Sequence, residues 1–298
     1  MIPPHVEQKV VSVWGDEGRQ WLADFPRLLD RAMEKWRLTE IEPAPDLSYN
    51  FVAFAQQNGK PVVLKMGVKN PELDREAEVL KAFGAAGAAT AIDYDPELSA
   101  LLLERLMPGT TLWSEWTRER DEEHTRIAAN LMKRLWRDPV PGYPRTEDWC
   151  LAFDRHFAAY PEGGPVPRAL VTQAQQLADE LHAGTTTHVL LHGDLHHGNI
   201  LRSGETWKII DPKGANGDPA FEVGAFLYNP IDRIDTVPDL ARMLRRRLEI
   251  IAEVTGIDRE RLRNWAFCTA VLSACWSAED GESDQAVIRC AQALLQDA

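Results

Sequence analysis

The alternation of hydrophobic and polar residues predicts β-strands in the first third of the chain and helices in most of the remainder. The clearest strand signal is a hairpin, because two β-favouring segments, 51–55 and 62–65, flank the turn sequence Asn58-Gly59. Two further strands are predicted over residues 89–94 and 100–106. Strand signals then give way to a mainly helical pattern.

Helical periodicity predicts the other elements. Apolar positions predict a helical region over residues 1–40 that is divided or kinked at Pro26, followed by an extended link over residues 42–46. Asn70 as a capping residue and Pro71 at the first helical position predict the start of the next helix. Further helices are predicted over residues 112–136, 148–160, 166–182, 238–255, 259–278 and 284–295.

Two charged residues lie at positions that these elements would bury. Lys65 ends an otherwise apolar strand, and Glu76 lies within the apolar stripe of the helix that begins at Asn70. A carboxylate that faces a core needs a partner, and Lys65 is the natural one. The alternatives are a lysine on an edge strand and a solvated glutamate at the border of the stripe.

The most informative polar segment lies between two short β-favouring segments, 189–191 and 207–210. Its glycines allow tight turns, so its polar residues are predicted to lie at strand ends. Asp194 and, five residues later, Asn199 offer a carboxylate and an amide oxygen, and Asp211 follows the second segment. Phosphoryl transfer uses one aspartate beside the acceptor hydroxyl, with an asparagine and a second aspartate as Mg²⁺ ligands. The alternative is a polar hairpin in which these residues only cap turns.

Four histidines, His188, His192, His196 and His197, lie in or beside this segment. A zinc site with this spacing would need a helix, and the glycines argue against one. His192 is therefore predicted to hold the loop by hydrogen bonds to the backbone. His196 and His197 are predicted to be partly exposed.

Composition and charge narrow the class of function. The 298 residues carry a formal net charge of −13, which disfavours nucleic acid as a partner and favours a cationic small substrate. No apolar segment is long enough to span a membrane and no signal peptide is evident, so the expected location is the cytoplasm. The four cysteines lack metal-binding spacing, and the basic stretch 245–247 is predicted to be a solvated helix face.

Lys65, Glu76, the break after Leu103, the loop 192–199 and Asp211 together resemble the small-molecule phosphotransferases with a kinase fold. More closely, the chain resembles the aminoglycoside phosphotransferase superfamily, and within it the branch of streptomycin 6-phosphotransferases and hydroxyurea phosphotransferases. The segments that carry this finer resemblance are 48–50, 61–65, 211–214, 217–224 and 276–281.

This resemblance implies an α+β, bilobal protein-kinase-like fold. The small lobe, residues 1–106, would hold a five-stranded antiparallel β-sheet with helices and bind the nucleotide. The larger, mainly helical lobe, residues 107–298, would carry the catalytic loop and an acceptor pocket. ATP and Mg²⁺ would be the cofactors.

The resemblance also assigns roles to individual residues. Asp194 would be the catalytic carboxylate, and Asn199 and Asp211 the magnesium ligands. Lys65, paired with Glu76, would bind the nucleotide phosphates.

Two departures from protein kinases limit the resemblance. A segment over residues 46–50 stands where a glycine-rich loop would cover the phosphates, so Ser48 and Asn50 are the candidate phosphate contacts. The second metal-binding aspartate begins Asp-Pro-Lys rather than Asp-Phe-Gly, which argues against a protein kinase. Backbone groups of Glu104 and Leu106, in the break between lobes, are expected to be free to bind an adenine edge.

The acceptor is predicted from a cluster of acidic residues, Glu279, Asp280, Glu282 and Asp284. Such a cluster binds guanidinium or ammonium groups, and Glu279 and Asp280 are the candidate substrate contacts. The alternative is an acidic turn with a helix N-terminal charge. A hydroxyl of a streptomycin-like aminocyclitol is the first choice of acceptor, and hydroxyurea, a sugar, an amino sugar or another metabolite is the alternative. A hypothesis of a different class is a non-catalytic nucleotide-binding scaffold.

Overall fold

The computed structural model describes residues 2–45, 47–234 and 236–296. Residue 46, which ends the predicted link and begins the predicted phosphate-contacting segment, lies outside them. The chain divides into two compact units, Met1–Gly109 and Thr110–Ala298, whereas the sequence placed the division after residue 106. Within the described residues, no helix has both the length and the apolar character that a membrane span requires.

The N-terminal unit contains a five-stranded antiparallel sheet. Its hairpin forms as predicted, because Asn58 and Gly59 adopt positive φ angles of 52° and 75°, the pair that a tight turn of this type needs. In the order β1-β2-β3-β5-β4, the strands are β1 (Leu38–Pro43), β2 (Phe51–Gln57), β3 (Lys60–Met66), β4 (Ala91–Asp95) and β5 (Ala100–Glu104).

Two helices accompany this sheet, α1 (Pro4–Trp36) and α2 (Pro71–Phe83). The predicted break at Pro26 is wrong: α1 departs from helical geometry at Gly15, where φ is 54° and ψ is −124°. Glycine has no Cβ, so this conformation is accessible to it at low cost. The predicted helical region also extends too far, because α1 ends at Trp36 and a strand begins at Leu38.

The apolar face of α1 forms the core of the N-terminal unit with the sheet. The Phe25 ring lies 5.1 Å from that of Trp21 and 4.8 Å from that of Phe51 on β2, measured between centroids. All three side chains are buried. Aromatic contacts of this kind join the helix to β2, which pairs with β3, the strand that carries Lys65.

The C-terminal unit is mainly helical, and two of its helices are shorter than predicted. The predicted helix over 112–136 is broken at Trp116, whose indole nitrogen donates to the Asp121 carboxylate at 2.7 Å. The predicted helix over 148–160 is also split in two. The helices are α3 (Leu112–Glu115), α4 (Asp121–Leu135), α5 (Thr146–Cys150), α6 (Ala152–Ala159), α7 (Arg168–Ala183), α8 (Val223–Leu227), α9 (Ile231–Ile234), α10 (Leu240–Thr255), α11 (Arg259–Glu279) and α12 (Gln285–Leu295).

Short strands position the polar loop of this unit. A strand β6 (Pro108–Thr111) crosses the boundary between the units. Beyond it, β7 (Val189–Leu191) pairs with β10 (Ala215–Gly217), and β8 (Ile200–Ser203) pairs with β9 (Thr206–Ile209), both antiparallel. The sequence pattern predicted β7 and β9 but missed β8 and β10, which are three or four residues long and lack a strong apolar alternation.

Arg247, predicted to be on a solvated helix face, is instead buried in the C-terminal unit. Its guanidinium contacts the Asp121 carboxylate at 2.5 Å and donates to the carbonyl oxygens of Phe226, Leu227 and Asn229. Burial acts to raise the pKa of Asp121, but the Arg247 charge and hydrogen bonds outweigh it, so the net direction is down. The prediction failed because it treated residues 245–247 as one solvated block, although Arg247 alone falls in the apolar stripe with Leu244 and Ile251. The stripe indicates burial, but it does not reveal the carboxylate that a distant helix supplies.

We expect the substitution Arg247→Met to lower the free energy of unfolding by about 3–5 kcal/mol, because it leaves Asp121 buried without its partner. Denaturant unfolding followed by circular dichroism measures this. Arg242→Met, at an exposed position on the same helix, is the matched control and should change stability little. Equal stabilities of the two variants would contradict the assignment.

Candidate active site

The loop between β7 and β8 directs the Asp194 carboxylate outward. Gly193 has a φ of 83°, a conformation that favours glycine. A Cβ at this position would lie 2.5 Å from the ring carbon Cη2 of Trp149, which no real Cβ tolerates. The next residue, Asp194, has a side chain that is 37% exposed. Both the backbone conformation and the close aromatic contact therefore require glycine immediately before the candidate catalytic carboxylate.

A buried carboxylate, Glu222, holds the start of this loop. Its Oε2 accepts the His192 N–H at 2.7 Å and its Oε1 accepts the Gly193 N–H at 2.9 Å. Burial raises the pKa of Glu222 to about 7; the two N–H donors oppose this rise and the Asp194 charge adds to it. Two consecutive backbone groups are thus fixed by one side chain.

Asp218 anchors the turn that carries Glu222. Its Oδ1 accepts the Ala220 N–H at 2.9 Å, and its Oδ2 accepts the indole N–H of Trp265 at 2.9 Å and pairs with Arg261. The Asp218 side chain is buried. The short 3₁₀ turn Pro219–Glu222 is therefore tied to α11 at the end opposite the loop.

His192 joins the loop to the segment that carries Asp211, as the sequence predicted. Its Nδ1 accepts the Asp194 N–H at 3.2 Å, so Nε2 carries the proton and donates to the Ile210 carbonyl at 2.9 Å. Burial lowers the pKa of His192 to about 4, which keeps the ring neutral. The His192 carbonyl in turn accepts the N–H groups of Lys213 and Gly214 at 2.8 and 3.1 Å.

The two predicted magnesium ligands lie at the ends of a hairpin. Asn199 directly precedes β8, Asp211 follows β9, and Ile200 pairs with Ile209 in the register. The Ile210 N–H donates to the Asn199 carbonyl at 3.0 Å. Antiparallel pairing therefore brings these two residues together although twelve positions separate them.

The side-chain chemistry of these residues fits Mg²⁺. The Asn199 amide nitrogen donates to the Asp194 carbonyl at 3.0 Å, which commits that nitrogen and leaves Oδ1 as the group for a ligand. Asp211 adopts a φ of 56°, an unusual conformation for a non-glycine residue and one often kept at functional sites. An amide oxygen and a carboxylate are hard ligands of the kind that Mg²⁺ uses together with phosphates and water.

The prediction for His197 is wrong. Its side chain is fully buried and stacks on the Phe226 ring, with centroids 4.2 Å apart and planes 11° apart. Neither ring nitrogen has a hydrogen-bond partner within the described residues, and burial lowers the pKa of His197 strongly. His196, by contrast, is partly exposed as predicted, and its Nδ1 accepts the Gly198 N–H.

In the N-terminal unit, the predicted pair of Lys65 and Glu76 is confirmed. The Lys65 ammonium lies 2.7 Å from Glu76 Oε2, and the two side chains are 8% and 5% exposed. β3 carries the lysine, and α2 carries the glutamate on its buried face. Asn70 caps that helix as predicted, since its Oδ1 accepts the Glu72 N–H at 2.7 Å.

The other predicted nucleotide contacts have mixed outcomes. Ser48 is exposed and Asn50 packs against Gly67. The expectation of free backbone groups is wrong for the Glu104 N–H, which donates to the Thr90 carbonyl at 3.0 Å. In the described part of the chain, the Leu106 N–H has no hydrogen-bond partner.

The acidic cluster near the end of α11 is partly committed to other contacts. Glu279 forms an ion pair with Arg155 at 2.8 Å, and Asp284 caps α12 by accepting the Val287 N–H at 3.1 Å. Asp280 and Glu282 are exposed. The helix-terminal alternative therefore holds for Asp284.

Sequence reasoning missed Glu222 and Trp149, which hold the loop from two sides. For Glu222 a signal was present, because it lies between the apolar residues Phe221 and Val223. A carboxylate in such a setting is buried and needs donors. No comparable signal exists for Trp149, since its contact with Gly193 depends on tertiary packing.

A family model described as "Aminoglycoside/hydroxyurea antibiotic resistance kinase" matches residues 35–281. The chain belongs to this family. It is therefore a kinase, and the predicted resemblance is confirmed.

Curated proteins are similar to this chain over nearly its whole length. Streptomycin 6-kinase of Streptomyces glaucescens is 32% identical over 302 residues, covering 98% of this chain and 96% of the relative. Hydroxyurea phosphotransferase of Kitasatospora aureofaciens is 29% identical over 287 residues, covering 94% and 81%. These relatives support a small-molecule phosphotransferase.

Solved structures of other proteins share the fold of this chain. Aminoglycoside phosphotransferase APH(4)-Ia, as a thermostable mutant in complex with ADP and hygromycin B, superposes with a TM-score of 0.66 at 18% identity, covering 90% of this chain and 98% of that one. A choline/ethanolamine kinase family protein from Mesorhizobium loti gives a TM-score of 0.65 at 17% identity, covering 90% and 95%. The predicted α+β, kinase-like fold is confirmed.

We expect Glu222→Gln to lower kcat by about 10- to 100-fold, because a glutamine amide accepts only one of the two N–H groups and lets the loop shift. The KM for the nucleotide should not change. Coupled ADP release measures both constants. Glu205→Gln, at an exposed turn position of the same unit, is the control, and an unaltered kcat in Glu222→Gln would refute the positioning role.

Stability should also depend on pH through His197. Its pKa is lowered in the folded protein, so below about pH 6.5 the unfolded chain binds a proton that the folded chain excludes. The free energy of unfolding therefore decreases as the pH is lowered, by up to about 1.4 kcal/mol per pH unit. His197→Phe removes this contribution and should flatten the decline between pH 6.5 and 5 by about 1–2 kcal/mol. Urea unfolding at several pH values tests this, and parallel curves would contradict it.

Proposed function

We propose that this protein transfers the γ-phosphate of ATP, with Mg²⁺, to a hydroxyl of a streptomycin-like aminocyclitol. The observation that carries the proposal is the Asn199 amide, whose nitrogen is bound to the Asp194 carbonyl at 3.0 Å. This contact, on the loop that presents Asp194, fixes an amide oxygen, and the hairpin brings Asp211 close to Asn199. Phosphoryl transfer requires this combination of two metal ligands and a separate carboxylate.

Asp194 would act on the acceptor hydroxyl. A carboxylate is too weak a base to remove an alcohol proton in the ground state, so its role is to orient the hydroxyl and receive the proton late in the transfer. Its partial exposure, 37% of the side chain, leaves it accessible to an acceptor. Asn199 and Asp211 would hold Mg²⁺, which offsets charge on the phosphate oxygens.

The nucleotide would be bound by residues of the N-terminal lobe, 1–106. Lys65, oriented by Glu76, would contact the phosphates, with Ser48 and Asn50 as further candidates. The Leu106 N–H and the Glu104 carbonyl would meet the adenine edge. ATP is a cytoplasmic metabolite, and we place the enzyme there.

The choice of acceptor rests on the relatives and on charge. A streptomycin 6-kinase is 32% identical over almost the full length, and the chain carries a net charge of −13, which suits a cationic acceptor. Glu279 and Asp280 are the acidic candidates in the C-terminal lobe, 107–298. Hydroxyurea is the second candidate, because a hydroxyurea phosphotransferase is 29% identical. Sugars, amino sugars and other metabolites are the remaining candidate acceptors.

A non-catalytic scaffold for nucleotides is the hypothesis of a different class. Binding a nucleotide without catalysis does not require an accessible carboxylate such as that of Asp194 on a loop held by hydrogen bonds. Steady ADP release with a phosphorylated product separates the two hypotheses.

We expect Asp194→Ala to reduce kcat by about 100- to 10,000-fold, because the hydroxyl loses its proton acceptor. Affinity for a nonhydrolysable ATP analogue with Mg²⁺, measured by calorimetry, should not change. Asp239→Ala, at an exposed position of the same unit, serves as the control. Undiminished turnover of streptomycin by Asp194→Ala, measured by mass spectrometry of the product, would remove Asp194 from the mechanism.

A further inference from the structure

Two tryptophans lie beside the candidate catalytic loop. Trp149, on α5, packs against Gly193, the residue before Asp194. Trp276, on α11, meets Trp149 edge to face, with ring centroids 6.2 Å apart and planes 80° apart. We call this pair the Trp149–Trp276 corner. An acceptor whose hydroxyl lies at Asp194 would therefore lie close to this corner.

The exposure of the corner argues against a purely structural role. Both tryptophans are half-buried, whereas Trp265, on the same helix as Trp276, is fully buried. Trp149 and Trp265 both pack on Phe221, with ring centroids 5.8 and 5.1 Å away. Tryptophan is seldom buried completely, so the partial exposure matters here because it lies beside the loop that carries Asp194. The corner therefore offers part of its ring surface to solvent next to the loop.

Tyr228 indicates which face of α11 is turned toward Asp194. Burial raises the pKa of its phenol, the charges of Asp194 and Asp284 raise it further, and a hydrogen bond with Ser273 opposes this rise. Asp194 and Ser273 therefore both lie near Tyr228. Trp276 is one helical turn after Ser273, so the two share a face. The corner and the carboxylate consequently belong to one neighbourhood.

The charge of this neighbourhood favours a cation. Two carboxylates, those of Asp194 and Asp284, act on Tyr228, and a third, Glu279, is paired with Arg155. Lys213, which lies beside Gly193, adds one further cation, so these carboxylates outnumber the cations beside them. An aromatic face attracts a cation through its quadrupole, and the planar guanidinium group stacks on it better than an ammonium does. An uncharged acceptor would gain little from either feature.

We propose that the Trp149–Trp276 corner is a specificity subsite that stacks a guanidinium group of the acceptor whose hydroxyl meets Asp194. This inference rests on the proposed function, since it concerns the same acceptor. It assigns to two aromatic residues the recognition that the sequence pattern assigned to Glu279 and Asp280.

Calorimetric titration of streptomycin, which carries guanidinium groups, tests the subsite in the presence of Mg²⁺ and a nonhydrolysable ATP analogue. We expect Trp276→Ala to weaken binding by about 10- to 30-fold, and Trp276→Phe to restore most of the affinity. KM for streptomycin should rise in parallel while kcat and the nucleotide KM stay unchanged. Trp14→Ala, in the N-terminal unit, is the matched control and should bind as the wild type does.

A second measurement does not depend on how well a variant folds. The wild-type protein should bind streptidine, which bears two guanidinium groups, at least tenfold more tightly than the uncharged scyllo-inositol, because only streptidine can form the cation–π contact. Equal affinity for the two ligands, or wild-type affinity in a folded Trp276→Ala variant, would overturn the subsite.

The outcomes also separate this inference from the proposed function. Phosphorylation of hydroxyurea or another neutral acceptor, without binding of guanidinium ligands, would overturn the subsite and leave the kinase mechanism intact. Binding of streptomycin that depends on Trp276, without any phosphoryl transfer, would support the subsite and overturn the proposed function.

Discussion

A buried carboxylate that must be matched by donors determines the geometry of the candidate site. Glu222 is 3% exposed, and the two groups that satisfy it are the consecutive N–H groups of His192 and Gly193. Leaving such a carboxylate unpaired costs more than most single contacts contribute, so the loop is held in the conformation that supplies both donors. That conformation sends the next residue, Asp194, outward, and it sets the His192 ring against the strand end before Asp211. The position of Asp194 is therefore determined by the burial of the Glu222 carboxylate more than by Asp194 itself.

Local signals were enough to predict much of the fold and part of the site. The Asn58-Gly59 turn and the Asn70-Pro71 helix start each depend on backbone preferences of adjacent residues, and both are present. The pairing of Lys65 with Glu76 could be predicted because helical spacing placed a carboxylate on a buried face and an apolar strand ended in a lysine. The proximity of Asn199 and Asp211 follows from a hairpin whose strands are contiguous in sequence.

Features that depend on distant contacts could not be predicted in the same way. Arg247 lies between Leu244 and Ile251 in an apolar stripe, which indicates burial, but Asp121 and the three carbonyl oxygens that receive its guanidinium come from elsewhere in the chain. His197 is two residues before a metal-ligand candidate and looks like a loop residue, yet Phe226 covers its ring. Gly15 rather than Pro26 breaks the first helix, because a proline can be accommodated within a helix whose packing is retained, while glycine permits a conformation that other residues avoid.

The contact of Trp149 with Gly193 joins the wall of the proposed acceptor site directly to the loop that carries Asp194. Reshaping that wall at Trp149 would release the glycine from the ring that confines it and disturb the carboxylate one residue away. Trp276 contacts the Trp149 ring, whereas Trp149 contacts Gly193 itself, so Trp276 is one residue further from the loop. If the two tryptophans contact the acceptor as proposed, a change of acceptor preference is structurally simpler at Trp276 than at Trp149.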